Sequence, residues 1–396
     1  MKRNSSNQHR RRPQKGIALL TVMSMFAIMA IIGAGFFASQ TMSLKRTANH
    51  LNYIQSCQYA LAGEEIAKQV LWQDWDKEEN GGKKKHYDGK NDLWSREISV
   101  PALDAIGSGI AGEIIDLHRK FNLNNLYVKD GKGELKKIGE SVEWKQLDAI
   151  FKDEGLDEKL IYNLYDWMDK DDVPDPNAVD TEDEGYMGLE VPYRTANFPL
   201  QHLSELRLIK DFGIKEYQKL LPHLVLLPES GTKINVNTAD AEVIARLFDA
   251  DAQNVEELIA EEGGEKGFEE IGDFTSVLAN YLDTKTSIWT KASVGPHGEP
   301  ADPPRGVPEG TANETQGGVH GGETATPDKY LSVSSEYFEV RVRAIYDERQ
   351  CDLISLLHRN PETGKVYLLS RNYTERVEFE KEKSNQPENE SSASEN

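Results

Sequence analysis

Residues 17–44 contain no charged side chain, and this stretch restricts what the chain can fold into. A helix needs roughly twenty apolar residues to cross the hydrocarbon core of a bilayer. Six basic residues and no acidic residue precede the stretch, and by the positive-inside rule they keep the N-terminus in the cytoplasm. The sequence therefore predicts a membrane-spanning helix over residues 17–38, with the rest of the chain on the far side of the membrane.

The helical pattern continues beyond the apolar stretch as far as Trp75. Leu51, Ile54 and the apolar residues that follow recur at roughly helical intervals, whereas Glu64 and other polar residues fill the remaining positions. No proline interrupts residues 17–75, so we predict one helix whose second half is amphipathic. Because such a helix buries its apolar side against another element, we expect it to pack on the C-terminal strands.

The chain as a whole is acidic. It has 46 Lys and Arg residues against 67 Asp and Glu residues, which gives a formal net charge of −21. Such a surface repels the phosphates of nucleic acids, so the charge argues against nucleic-acid binding. The two cysteines, Cys57 and Cys351, are too few for a disulfide-rich scaffold or a cysteine-rich zinc site. They leave open a disulfide between helix and sheet or two free buried thiols, and we favour the free thiols.

The acidic residues are concentrated in one loop, residues 166–200. Ten acidic residues, two basic residues and three prolines lie between Asp166 and Arg194, and the prolines predict a loop rather than a helix. By its charge alone, this is either a solvated acidic loop or a calcium site, since Ca²⁺ is bound by about six to eight oxygen ligands. The spacing does not match an EF-hand. The candidate ligands are Asp169, Asp171, Asp172, Glu182 and Asp183.

The segment Ile-Asn-Val-Asn-Thr-Ala at residues 234–239 also opens helix-hairpin-helix modules that bind DNA backbones. Such modules need basic residues for the phosphates. Residues 231–285 contain four basic and thirteen acidic residues, so we favour a structural helical hairpin in which Asn237 or Thr238 caps a helix.

Helical patterns dominate the middle of the chain, and strand patterns dominate its end. The predicted helices are 144–154, 158–168, 204–209, 214–227, 239–248, 255–260 and 271–281. The predicted strands are 96–100, 110–117, 337–346, 351–357 and 365–369, with a turn at Asn360–Gly364. No Walker loop, metalloprotease, nucleophile-elbow or paired-cysteine motif occurs, and we predict that the chain is not an enzyme.

The N-terminal residues resemble the type IV prepilin family. They combine a basic leader, a Lys15-Gly16 junction, a neutral apolar helix and an amphipathic extension. In that family a prepilin peptidase cuts after the glycine, which implies cleavage after Gly16 and Ile17 as the new first residue. The fifth mature residue, usually Glu, is Thr21 here. That departure fits one branch, the minor pseudopilin K of type II secretion systems (general secretion pathway protein K).

The middle of the chain resembles the same branch. Its pattern of Asp-Trp-x-Asp-x-Asp-Asp, then Glu-Asp, then Pro-Tyr-Arg-x-Ala-Asn lies at residues 166–172, 182–183 and 192–197. In the family the helical domain carries calcium, and the resemblance therefore favours the calcium site over the solvated loop. It also implies a helical subdomain with no DNA role at residues 231–285.

The resemblance implies an α+β fold. In this fold the long N-terminal helix packs on a small antiparallel sheet, the pseudopilin fold, and a large all-α domain is inserted. The expected segments are a leader (1–16), the helix (17–75), first strands (76–121), the inserted domain (122–285), C-terminal strands (286–380) with a flexible loop (295–328), and a disordered tail (381–396).

The resemblance further implies a minor pseudopilin at the tip of the type II secretion pseudopilus, needed for pseudopilus assembly and protein export across the outer membrane. A bulky inserted domain would clash within a helical filament and so would lie at its end. The expected partners are other minor pseudopilins, the prepilin peptidase, the inner membrane and secreted substrates, but not nucleic acid. The expected location is the inner membrane, crossed once, with the bulk of the chain periplasmic, and methylation is an implied modification. The alternative is a membrane-tethered, DNA-binding pilus component of the competence type, acting through the helical hairpin.

Overall fold

The computed structural model describes residues 15–79, 83–84, 87–100, 108–127, 135, 141–248, 250–264, 266–281 and 329–379. Within them the α-helices are α1 (Lys15–Trp75), α2 (Val142–Asp153), α3 (Lys159–Met168), α4 (Asp183–Met187), α5 (Ile214–Leu220), α6 (Ala241–Phe248), α7 (Ala252–Glu262) and α8 (Ile271–Tyr281). The strands are β1 (Glu78–Glu79), β2 (Lys83–Lys84), β3 (Ile98–Val100), β4 (Gly109–Asp116), β5 (Phe121–Asn122), β6 (Leu224–Val225), β7 (Ile234–Asn235), β8 (Leu331–Ser332), β9 (Tyr337–Tyr346), β10 (Arg349–Arg359) and β11 (Val366–Asn372).

The first part of the fold is a five-stranded antiparallel sheet in the order β11-β10-β9-β4-β3. Buried and less buried residues alternate along β9 and β10, so one face of the sheet is apolar. The second half of α1 packs on that face, where Ala60, Ala67 and Leu71 meet Val340 and Leu353. The predicted α+β arrangement of a long helix on an antiparallel sheet, with additional helices, is confirmed.

The helix approaches the sheet closely at Gly63. A Cβ atom there would lie 2.7 Å from Val342 Cγ1 and 3.2 Å from Ile110 Cγ2. A distance of 2.7 Å is too short for a contact between carbon atoms, so glycine is what allows α1 to lie flat on β4 and β9 at this point.

Two turns of the sheet hold the two ends of this helical contact. At one end, Asn52 Nδ2 donates to the carboxylate of Asp347 at 2.5 Å. Asp347 and Glu348 both have positive φ and form the two-residue turn between β9 and β10. At the other end, Trp75 Nε1 donates to Pro361 O at 3.2 Å in the turn between β10 and β11. The β9–β10 turn therefore lies nearer the apolar stretch of α1, and the β10–β11 turn lies farther from it.

An acidic side chain is buried between helix and sheet. Glu64 is fully buried, although the helical pattern placed it among the polar positions. Its carboxylate accepts hydrogen bonds from Arg371 (2.7 and 2.8 Å) and from Ser355 Oγ (2.6 Å), and it pairs with Lys68 at 2.6 Å. Burial raises the pKa of Glu64, but the bonds from Arg371, Lys68 and Ser355 outweigh it and lower the pKa to about 2.

The two cysteines form a disulfide. Cys57 of α1 and Cys351 of β10 are bonded, with their Cα atoms 5.1 Å apart. The preference for two free buried thiols is therefore wrong. The helix and the sheet bring together two residues that are 294 positions apart in the chain, a proximity that composition could not indicate.

The second part of the fold, the helical part, consists of the described residues from Leu117 to Tyr281 and has two apolar cores. In the first, Trp144 and Leu147 of α2 pack against Leu164 and Trp167 of α3. In the second, α6, α7 and α8 surround Phe274. Residues 117–119, 123–126 and 203–208 form 3₁₀ helices.

Several predicted helices differ from the observed ones. The predicted α-helix at 204–209 is a 3₁₀ helix. The predicted helix 214–227 ends at Leu220 because Pro222 follows, and Leu224 then begins β6, which pairs in parallel with β5. The loop 166–200, predicted to contain no helix, includes the short α4. The predicted flexible loop 295–328, the tail 381–396 and residues 1–14 of the leader lie outside the described residues.

Candidate metal centre

Three carboxylates meet where the acidic loop leaves α3 and enters α4. Asp166 lies in the last turn of α3, Asp169 follows that helix directly, and Glu182 precedes α4. All three are buried, and each places one oxygen within 4.8 Å of the others. Asp166 and Asp169 are three residues apart at the end of one helix, which places them on the same side.

Asp166 folds the loop back onto α3. Its two carboxylate oxygens each accept a hydrogen bond from Asp175 N at 3.1 Å, and Oδ2 also accepts one from Thr181 Oγ1 at 2.5 Å. These bonds bring the chain around so that Glu182, the next residue after Thr181, reaches Asp169. The centre is therefore built by local hydrogen bonds within the loop.

Asp169 and Glu182 have buried oxygens that lack a donor. Asp169 Oδ1 and both Glu182 carboxylate oxygens find no hydrogen-bond partner among the described residues. An ionised carboxylate buried without a donor or a counter-charge is strongly unfavourable. A hard cation that binds carboxylate oxygens supplies that charge, and the residues present fit Ca²⁺ in this respect.

The electrostatics of the three residues agree with this fit. Burial, together with the charges of Asp171 and Asp166, raises the pKa of Asp169 to about 8. Burial, together with the charges of Asp169 and Asp166, raises the pKa of Glu182 to about 8. Burial also raises the pKa of Asp166, although the bond from Thr181 lowers it. The side chains are thus arranged to hold a positive charge and not to stay ionised alone.

The structure brings together only some of the five predicted ligands. Asp169 and Glu182 lie in the centre. Asp171 and Asp172 are exposed, and Asp171 Oδ1 accepts from Val173 N at 2.9 Å. Asp183 faces away, because its carboxylate pairs with Arg194 at 2.7 Å and accepts two hydrogen bonds from Thr195.

Asp166 was not among the predicted ligands, yet it lies in the centre. The spacing of Asp166 and Asp169 on a helix was a signal that could have identified it. Its proximity to Glu182 depends on the course of the loop, and helical spacing contains no information about that.

A second acidic group consists of Asp74, Asp88 and Asp92. Arg359 Nη2 lies 2.5 Å from Asp88 Oδ2, and Arg359 Nη1 lies 3.9 Å from Asp74 Oδ2. A guanidinium already supplies positive charge here, so we assign this group to an ion-pair network and not to a metal centre.

The predicted processing site lies at the start of α1. Gly16 and Ile17 belong to that helix, and Ile17 is exposed. From Ile17 onward α1 is long and apolar enough to cross a membrane, and its apolar stretch is exposed.

Comparison with known proteins identifies the family. A model of the family "Type II secretion system (T2SS), protein K" matches residues 119–229, and a second model with the same description matches residues 234–284. The type II secretion system protein K of Pseudomonas aeruginosa is 35% identical over 283 residues, which cover 70% of this chain and 80% of that protein. The chain belongs to this family.

Other members and a solved structure agree with the assignment. The protein K of Pectobacterium carotovorum is 32% identical over 59% of this chain and 70% of that protein, and that of Aeromonas hydrophila is 32% identical over 60% and 70%. The fold resembles a chain in the crystal structure of the GspK-GspI-GspJ complex from the type 2 secretion system of enterotoxigenic Escherichia coli. The TM-score is 0.59 and the identity 22%, and the match covers 84% of this chain and 100% of that chain. The chain thus shares the fold of that chain and the sequence family of the type II secretion system protein K.

Proposed function

We propose that this protein K caps the tip of a type II secretion pseudopilus and is needed for pseudopilus assembly and protein export across the outer membrane. The observation that carries the proposal is where the helical part joins the sheet. The chain leaves the sheet after Asp116 and returns before Tyr337, and both residues lie at the end of the sheet next to Arg359 and the β10–β11 turn. The helical part is therefore attached at the end far from the apolar stretch of α1.

This placement supports a position at the tip. A subunit inside a filament has neighbours above and below, and added bulk at its far end would collide with the next subunit. At the tip there is no next subunit, so the helical part has room. We propose a structural role in assembly and not an enzymatic one.

We propose that α1 crosses the inner membrane once and that the rest of the chain is periplasmic. The basic residues before α1 favour a cytoplasmic N-terminus. The Cys57–Cys351 disulfide lies beyond the apolar stretch, and disulfides persist in oxidising compartments such as the bacterial periplasm. On this proposal, a prepilin peptidase cleaves after Gly16, and the new N-terminus at Ile17 is methylated.

The proposed partners are other minor pseudopilins and secreted substrates. The other pseudopilins would contact the exposed apolar side of α1 and the sheet. The chain of known structure that has a similar fold was solved in a complex named GspK-GspI-GspJ, which supports partners from the same secretion system. Co-purification of the full chain with the small membrane proteins encoded beside it tests this proposal. We expect a stable complex in detergent. Recovery of the chain alone, under conditions in which those proteins bind one another, would contradict it.

We also propose that Asp166, Asp169 and Glu182 hold a calcium ion, which would supply the positive charge that these buried carboxylates lack. Addition of calcium at about 100 times its dissociation constant would then stabilise the fold by about 2.7 kcal/mol. Glu182→Gln removes a buried ligand and should abolish the rise in melting temperature. Glu190→Gln, an exposed residue of the same loop, is the matched control and should keep it. If calcium leaves the melting temperature of the unaltered chain unchanged, the loop is a solvated acidic loop.

The alternative DNA-binding role has no support from the residues that suggested it. Asn235, Asn237 and Thr238, which open the helical hairpin, are buried inside the protein. A gel shift at physiological salt tests the point directly, and we expect no retained DNA.

A further inference from the structure

The segment that opens the helical hairpin contacts the rest of the protein and not solvent. Asn235 and Thr238 are buried. The sequence had predicted that Asn237 or Thr238 caps a helix, but the Asn237 side chain bonds to Phe268 and Thr238 Oγ1 bonds to Asp116 instead. The backbone N–H groups of Val243 and Ile244 at the start of α6 donate to Asp240 O instead. The side chains of this segment therefore form hydrogen bonds with other parts of the protein and not with the start of α6.

Asp116 accepts hydrogen bonds from the side chains of this segment. Its Oδ2 accepts hydrogen bonds from Thr238 Oγ1 (2.5 Å), Ser335 Oγ (2.5 Å) and Asn235 Nδ2 (3.2 Å), and its Oδ1 accepts one from His118 N (2.8 Å). Asp116 ends β4, where the chain leaves the sheet, and Ser335 lies just before β9, where the chain returns. One carboxylate thus joins the outgoing chain, the returning chain and the helical part.

The same point is joined to the helix and the sheet. Ser335 N donates to Asp88 Oδ2 at 2.8 Å. Arg359 Nη2 donates both to Asp88 Oδ2 (2.5 Å) and to Ser335 O (2.9 Å), and Arg359 Nη1 donates to Leu71 O of α1 at 3.4 Å. A continuous series of hydrogen bonds therefore runs from α1 to the helical part.

Asn237 extends this series into the hairpin itself. Its side-chain amide donates to Phe268 O at 2.9 Å, and its side-chain oxygen accepts from Phe268 N at 2.8 Å. Phe268 belongs to the apolar core around α6, α7 and α8. The segment is thus bonded on one side to that core and on the other side to Asp116.

We propose that Asp116, Asn235, Thr238 and Ser335 form an interdomain lock that holds the helical part in one orientation on the sheet, so that the membrane-anchored helix and the helical part move as one body. A small apolar cluster of Leu117, Val225, Leu227 and Tyr337, with Leu356 packed against it, lies beside the lock. The buried carboxylate of Asp116 is stable only while its four donors stay in place, because the loss of one donor leaves a charged oxygen without a hydrogen bond. The two parts move together only if the segment that leaves the sheet at Asp116 and the segment that returns at Ser335 stay bonded to each other. The lock bonds these two segments whether or not the protein has bound a partner.

The test measures the distance between the two parts. Glu362→Cys in the β10–β11 turn and Glu256→Cys in α7 place spin labels at exposed positions on the sheet and on the helical part. Both native cysteines are in the disulfide and do not take label. In the full chain in detergent, we expect double electron–electron resonance to give one narrow distribution of the distance between the labels at positions 362 and 256. The double variant Thr238→Val and Ser335→Ala, which removes both hydroxyls from Asp116, should broaden or split it.

A matched control separates the lock from general loosening. Thr275→Val and Ser276→Ala remove two hydroxyls that bond to Gly272 O on the exposed side of α8, and this variant should keep the narrow distribution. The backbone amide at position 335, which donates to Asp88 Oδ2, should exchange with deuterium about tenfold or more faster in the lock variant than in the unaltered chain, after correction for the intrinsic rates of alanine and serine, and should not change in the control variant. A lock variant as narrow as the unaltered chain, or a control that broadens equally, would overturn the proposal. If the double variant loses helical circular dichroism, Ser335→Ala alone is measured with the same two outcomes.

Discussion

Replacement of Glu64 by glutamine should destabilise the protein far more than the same change at its neighbour Glu65. Glu64 is fully buried between α1 and the sheet, with Arg371 at 2.7 Å and Lys68 at 2.6 Å. The Glu65 side chain is 67% exposed and contacts only Lys68, at 2.7 Å, among the ion pairs of the described residues. The two positions therefore form a matched pair on one turn of the helix.

The magnitude follows from the pKa of Glu64. That pKa falls from 4.5 to about 2 on folding, and each pKa unit corresponds to about 1.4 kcal/mol. The ionised carboxylate thus contributes roughly 3 kcal/mol to the free energy of unfolding. Removal of one partner of a buried ion pair costs about 3–5 kcal/mol, which agrees. An exposed pair such as that of Glu65 and Lys68 is worth about 0.2–1 kcal/mol.

The sign of the pH dependence follows from the direction of the shift. A carboxyl group whose pKa is lowered in the folded state stabilises that state when it is ionised. The contribution of Glu64 is therefore complete above pH 4.5 and is lost as the pH falls toward about 2. Glu64→Gln lacks this contribution at every pH, so its difference from the unaltered chain should shrink over that window.

The assay is urea unfolding of the detergent-solubilised full chain, followed by tryptophan fluorescence. We expect the free energy of unfolding at pH 7 to fall by about 3 kcal/mol in Glu64→Gln and by less than about 1 kcal/mol in Glu65→Gln. If both variants lose the same amount, or if the difference for Glu64→Gln persists unchanged at pH 3, the buried ion pair of Glu64 does not stabilise the fold in this way.

Three further predictions concern α1. Reduction of the disulfide, or Cys57→Ser, should lower the free energy of unfolding by up to about 5 kcal/mol because the loop it closes is long; an unchanged urea midpoint would contradict this. Gly63→Ala places a Cβ 2.7 Å from Val342 Cγ1 and should cost about 1–3 kcal/mol, and a neutral effect would show that the helix can shift. Mass spectrometry of the membrane-inserted chain should find Ile17 as its first residue, whereas an intact Met1 would argue against cleavage after Gly16.

The parts of the fold that follow a simple period could be predicted from the sequence. The apolar stretch of α1 and the alternation in β9 are local patterns, and the predicted strand 337–346 coincides with β9. The predicted helix 271–281 coincides with α8 for the same reason. In these segments each residue's environment is set by its own position along the helix or strand.

Features that depend on distant residues could not be predicted in this way. Glu64 is polar, and only the presence of Arg371 and Ser355 on the sheet explains its burial. The disulfide depends on how α1 lies along β10. In the candidate metal centre, two of the five predicted ligands, Asp169 and Glu182, lie in the cluster of carboxylates, whereas Asp171, Asp172 and Asp183 lie outside it. The helical spacing of Asp166 and Asp169 could have identified Asp166, but its proximity to Glu182 depends on the hydrogen bonds from Asp175 and Thr181 that fold the loop back.

The proposed role of this chain is in protein export, from the tip of a pseudopilus. The most direct test is the amount of secreted protein in the medium of a strain that lacks the chain, before and after complementation. We expect export to be lost on deletion, to be restored by the full chain, and not to be restored by a chain without residues 17–38. Export that continues unchanged in the deletion strain would contradict it.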